Sequence, residues 1–131
     1  MVIIDTSVWI DFLNGSDTPE VRWLDAQLAQ RRLALTDVIL CEILQGVHDD
    51  KEAARVRREL LKFAVLDMCG TRLAESAAKN YRFLRSKGIT VRKTIDCLIA
   101  TYCIAGGHDL LHNDTDFDGF EQHLGLNVVR A

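Results

Sequence analysis

Several carboxylates stand where solubility alone does not explain them: Asp5, Glu42, Asp96, Asp114 and Asp116. Asp5 follows Val2-Ile3-Ile4, an apolar run without alternation, which reads as a strand buried on both faces. Glu42 lies about a turn into a helix-like stretch that follows another short apolar run. Asp96 falls in the first turn of the most apolar helix-like stretch, and Asp114 and Asp116 come just after His112-Asn113. Singly, each has an ordinary explanation: a strand-end cap, an exposed side chain, a helix-dipole partner or an Asx turn. Gathered at one place they would repel. Two like charges ~4 Å apart at an effective dielectric of ~20 cost about 4 kcal/mol. A protein keeps such a cluster by protonating some members or by binding a hard cation. Oxygen-only ligands favour Mg²⁺ or Mn²⁺. A divalent ion with open positions suits phosphodiester hydrolysis, because it polarises a phosphoryl oxygen and lowers the pKa of a bound water.

The elements that would gather these side chains can be read in order. Residues 2–4 form a strand, and Thr6 or Ser7 suits the N-cap of a helix through residues 8–13. Asn14-Gly15 stops it. Thr18-Pro19 opens a second helix, with Val21, Leu24 and Leu28 inward, to about Arg31. Residues 33–35 are a short strand, and Thr36 or Asp37 caps the helix carrying Ile39, Glu42 and Ile43 as far as Gly46. Asp49 or Asp50 opens a basic helix to about Lys62, followed by a strand over 64–66. Thr71 starts a long helix with the stripe Leu73, Ala77, Tyr81 and Leu84, closed at Lys87-Gly88. Residues 89–93 are extended, and Thr94 caps the apolar helix that Gly106-Gly107 ends. Residues 109–112 read as a strand, 116–124 as a short helix and 127–129 as a last strand. Short strands alternating with helices predict an α/β fold: a three-layer α/β/α sandwich on a short parallel sheet of about four to five strands. In open α/β sheets ligands sit beyond the carboxyl ends of the strands, which is where Asp5 and Asp114 fall.

The totals fit one domain over residues 1–131, large enough to bury a core. A net charge of −3 argues against nonspecific adhesion to nucleic acid. Basic residues concentrate in the middle of the chain, among them Arg31, Arg55, Arg57, Arg58, Arg92 and Lys93. Arg92 and Lys93, beside Asp96, and the Arg55/Arg57/Arg58 group are candidates for contacts to a phosphate backbone. No apolar run reaches membrane-spanning length, and the N-terminus lacks the pattern of a signal peptide. Cys41, Cys69, Cys97 and Cys103 form no CxxC and are expected to be buried, reduced thiols of a cytoplasmic protein. Trp23 is expected either in the core or at a dimer contact.

The stretch Ile4-Asp5-Thr6-Ser7-Val8-Trp9, with Glu42 in its Ile/Leu-rich helix, resembles the PIN-domain ribonucleases. So do Val91-Arg92-Lys93-Thr94-Ile95-Asp96-Cys97-Leu98-Ile99-Ala100 and His112-Asn113-Asp114-Thr115-Asp116-Phe117. Within that superfamily the chain is similar to the VapC-type toxins of bacterial or archaeal toxin–antitoxin pairs, over nearly its whole length. The resemblance implies a PIN-like, Rossmann-related fold and a Mg²⁺- or Mn²⁺-dependent endoribonuclease, with Asp5, Glu42, Asp96 and Asp114 as the acidic quartet. Asp116 is sometimes counted as a fifth. Transfer RNA or ribosomal RNA would be the substrate. Thr6, Ser7 and Asn113 become supporting candidates that hydrogen-bond ligands or waters. A homodimer is implied, inhibited by a VapB-type antitoxin whose tail enters the site. Many relatives begin the last motif with threonine, where this chain has His112.

Other chemistries fit less well. Asp114-Thr115-Asp116-Phe117-Asp118-Gly119 opens like an EF-hand loop, but the twelfth position is Gly125 rather than glutamate. His108 and His112 are four apart without the following glutamate of a zinc helix, and Gly106-Gly107 breaks the helix such a motif needs. An aspartyl-nucleophile phosphatase would use Asp5 but wants an acid two residues on, where Ser7 stands. A module that binds RNA without cutting it has little use for a repulsive acidic pocket.

Overall fold

The computed structural model describes residues 1–30 and 32–131, so the expected end of the second helix at Arg31 lies outside the described residues. Four short parallel strands make one sheet: β1 (Val2–Ile4), β2 (Leu33–Thr36), β3 (Ala64–Leu66) and β4 (Asp109–Leu111), in the order β3-β2-β1-β4. β1 is central, with Val2 opposite Leu33 on one side and Asp109 on the other. Every residue of β1 and β2 is buried. Successive strand residues point to opposite faces, so both faces of the sheet must be covered, as the unbroken apolar runs require.

The cover is helical: α1 (Thr6–Leu13), α2 (Pro19–Gln27), α3 (Asp37–Gln45), α4 (Asp50–Leu60), α5 (Thr71–Ser86), α6 (Thr94–Gly106) and α7 (Asp118–Leu124). α1 packs against α2 and α3, and α5 lies along α6. Caps set most of the starts. Thr18 accepts from the Val21 N–H with Pro19 at the first helical position, Thr36 caps α3, and Asp49 caps α4. α6 departs from expectation. Its cap position is Lys93, without a side-chain bond, and Thr94 is already helical. The expected helix over 116–124 divides into a 3₁₀ turn, Thr115–Phe117, and α7.

The expected last strand over 127–129 is reduced to a single parallel bridge between Leu110 and Val128. In a parallel ladder alternate residues bond to alternate neighbours. The N–H of Asp109 donates to Met1 and the carbonyl of Leu111 accepts from Asp5, both toward the β1 side. Only Leu110 is left to face outward, giving to the Asn127 carbonyl and accepting from the Val129 N–H.

The core gathers Ile3, Ile4, Trp9, Leu35, Ile99 and Phe120, all essentially inaccessible. Trp9 lies 5.9 Å from Phe12 and 4.8 Å from Phe63 between ring centroids. Trp23 is half-buried and packs on this core. All four cysteines are free, and Cys97 and Cys103 are buried as expected, but Cys41 and Cys69 are exposed. Cys41 is two residues from each of the buried Ile39 and Ile43, which turns it to the opposite side of α3.

Candidate active site

β1 ends at Asp5, and that aspartate is itself the N-cap of α1. The sequence Asp-Thr-Ser offers three good capping residues in a row, and the first is the one used. The Ser7 N–H and hydroxyl both donate to Asp5 Oδ2, at 3.4 and 2.8 Å. Capping releases the neighbouring hydroxyl: Thr6 Oγ1 donates at 2.8 Å to Glu42 Oε1 on α3. Glu42 is thereby half-buried and tied to the end of β1 rather than free in solvent.

Asp96 comes from the first turn of α6 and is 6% exposed. One of its oxygens, Oδ2, is buried with no hydrogen-bond partner among the described residues. Asp114 and Asp116 come from the turn beyond β4. Asp114 caps the 3₁₀ turn by accepting from the Asp116 N–H at 2.9 Å. Carboxylate oxygens of Asp96, Asp114 and Asp116 all lie within 4.8 Å of one another. The neighbouring strands β1 and β4 thus deliver their acids to one edge of the sheet, and α6 supplies the third side.

The electrostatics of these groups register the crowding. Burial pushes the Asp5 carboxyl up to about 6, against the pull of the Ser7 and Thr6 bonds and with help from Glu42. Asp96 is pushed up to about 7, first by burial and then by the charges of Asp5 and Asp114, with Lys93 pulling the other way. Among the described residues the 4.8 Å group is Asp96, Asp114 and Asp116; Asp5 acts on Asp96 from beside it, and Glu42 acts on Asp5. Among the described residues a cation touches the group at Arg92, whose Nε donates to Asp116 at 3.0 and 3.3 Å. Its guanidinium is largely exposed while the Asp116 carboxylate is not. Crowded carboxylates, two of them buried and one with an oxygen that has no partner among the described residues, fit a hard divalent cation.

The supporting residues divide. Thr6 and Ser7 orient Glu42 and Asp5. Asn113 is exposed and gives its amide to Asp11 Oδ2 at 3.2 Å. Asp11, on α1, was missed by the reading of the sequence, although it sits four residues after Ser7 and so shares its helix face. Lys93 is exposed beside Asp96, and Arg92 is held on Asp116. Arg55, Arg57 and Arg58 are exposed along α4, where Arg55 pairs with Glu52.

Comparison with known proteins agrees with this architecture. The PIN domain family matches residues 2–121. The chain is 36% identical to VapC ribonuclease Mb1587 of Mycobacterium bovis and to ribonuclease VapC11 of Mycobacterium tuberculosis, over 98% of both chains in each case. Among solved structures it is similar to VapBC2 of Rickettsia felis bound to a promoter DNA fragment, with TM-score 0.78, 17% identity and 98% of each chain covered. It is also similar to FitAcB of Neisseria gonorrhoeae, with TM-score 0.76 and 18% identity over 99% of this chain and 97% of the other. The structural likenesses speak for the fold, and the family match and the close relatives for descent. The chain belongs to the PIN-domain family, and within it to the VapC ribonucleases.

Proposed function

We propose that the protein is the toxin of a VapBC-type toxin–antitoxin pair, a Mg²⁺- or Mn²⁺-dependent endoribonuclease acting on transfer or ribosomal RNA. The observation that carries the reading is the group of Asp96, from α6, with the half-buried Asp114 and Asp116 of the turn after β4, beside which the buried Asp5 stands at the end of β1. Relatives named VapC ribonucleases and neighbours named VapBC complexes support it. The partners that follow are a VapB-type antitoxin and a second copy of the chain. No described helix is long and apolar enough to cross a membrane, and we place the protein in the cytoplasm.

Asp5, Asp96, Asp114 and Asp116 would hold the principal cation, with Glu42 beside them for a second ion or for the attacking water. The bound ion would supply charge for the developing oxyanion and a more acidic water. Ser7 fixes the rotamer of Asp5. Thr6 holds Glu42 through Oε1, leaving Oε2 to take a proton from the water. Arg92 and Lys93, at the rim, meet the RNA backbone. The test is purified protein with short RNA in Mg²⁺, Mn²⁺ or EDTA, and a phosphomonoester as control. We expect cuts within the RNA only with a divalent ion and no turnover of the monoester. Cleavage that persists in EDTA, or hydrolysis of the monoester alone, overturns the reading.

Arg92 has a separate consequence. With Asp5→Asn as a background that does not cut, RNA affinity in Mn²⁺ should fall with salt, and Arg92→Ala should flatten that slope by about 0.7 if one phosphate contact is lost. An unchanged slope removes Arg92 from the RNA interface.

A further inference from the structure

We infer that His112 is a positioning residue whose imidazole Nδ1 holds the turn presenting Asp114 and Asp116 to the cation. The inference rests on the metal reading above. The Asp114 N–H donates to His112 Nδ1 at 3.1 Å, and Asp114 Oδ1 in turn accepts from the Asp116 N–H at 2.9 Å. Two short bonds thus run from the end of β4 through both acids. A side-chain acceptor taking the N–H two residues on is the arrangement asparagine and aspartate make in Asx turns. Histidine can reproduce it because Nδ1 lies as many bonds from the backbone as an asparagine Oδ1.

The rest of the ring shows what the residue is kept for. Accepting at Nδ1 puts the proton on Nε2, and Nε2 is buried without a partner among the described residues. The ring packs against the fully buried Phe117 at 4.8 Å between centroids, a seat that an apolar ring would fill without stranding an N–H. Packing alone therefore argues against histidine here. The bond to Asp114 argues for it, since groups that orient metal ligands govern affinity from one shell away.

Packing and positioning predict opposite results, and two variants separate them. His112→Phe keeps the ring and removes the acceptor; His112→Asn keeps the acceptor and removes the ring. Each is compared with the unaltered protein by Mn²⁺ titration, by melting without metal and by hydrogen exchange at the Asp114 amide. We expect His112→Phe to weaken Mn²⁺ by about 10- to 100-fold and to expose the Asp114 amide, while melting no lower than the parent. His112→Asn should melt lower, for the void beside Phe117, yet bind Mn²⁺ close to the parent and keep that amide protected. Mn²⁺ bound by His112→Phe as tightly as by the parent, or by His112→Asn as weakly as by His112→Phe, overturns the inference. If the parent itself binds no Mn²⁺, the metal reading falls and the amide decides alone. Protection lost only in His112→Phe supports the anchor, and equal exchange in all three overturns it.

Discussion

With Asp96 holding the cation as proposed, Asp96→Asn should reduce RNA cleavage by more than about a hundredfold, because losing a ligand costs more than the 10- to 100-fold typical of the groups that orient it. The same change should make the metal-free protein more stable at pH 8. Asp96 is buried, one of its oxygens has no partner among the described residues, and Asp5 and Asp114 both oppose its charge. Asparagine keeps the shape, drops the charge and offers an N–H₂ that neighbouring carboxylates can accept. Relieving a buried group left unsatisfied is worth about 1–3 kcal/mol, which is several degrees of melting temperature in a domain this size. Activity and stability thus move in opposite directions. Cleavage at the parental rate in Asp96→Asn, with RNA and Mn²⁺ saturating, would take Asp96 out of the site.

The second large effect concerns pH and metal together. The folded protein holds Asp5 near 6 and Asp96 near 7, well above the ordinary aspartate value of about 4. Between about pH 4 and 7 the folded state therefore binds more protons than the unfolded chain, and stability falls as pH rises. Below that window both carboxyls are neutral in either state and cost nothing. Above it the full penalty is present. A divalent ion reverses the trend by stabilising the ionised form. At a hundred times its dissociation constant it adds about 2.7 kcal/mol, a shift on the order of ten degrees. Calorimetric scans at pH 5 and pH 8, with Mn²⁺ or EDTA, should show a much larger Mn²⁺ shift at pH 8, where protons no longer compete. Equal shifts at the two pH values, or none, would sink this account.

The parts of the fold written in local chemistry were legible before any coordinates. Thr18-Pro19 opens its helix as expected, the first of each expected pair, Thr36 over Asp37 and Asp49 over Asp50, makes the next two caps, and four parallel strands fall where the apolar runs stood. What escaped was what neighbours decide. Asp5, Thr6 and Ser7 all cap helices well in isolation, and choosing Asp5 freed Thr6 for Glu42 across a separation of 36 residues. The strand expected over 127–129 depends on how many outward-facing groups β4 can offer, and β4 offers only those of Leu110. The acids could be named from their places after strands and in first turns. Their spacing arises only when segments distant in sequence meet, as does the hold of Arg92 on Asp116, 24 residues away.

The order β3-β2-β1-β4 also governs when a growing chain could become dangerous to the RNA around it. The strand bearing Asp5 has β4 as one of its two neighbours, and β4 is drawn from residues 109–111, with Asp114 and Asp116 close behind. A copy that stops before residue 109 lacks two of the three clustered carboxylates and the strand that precedes them. On the proposed reading, such unfinished translation products have no assembled cation pocket with which to cut RNA.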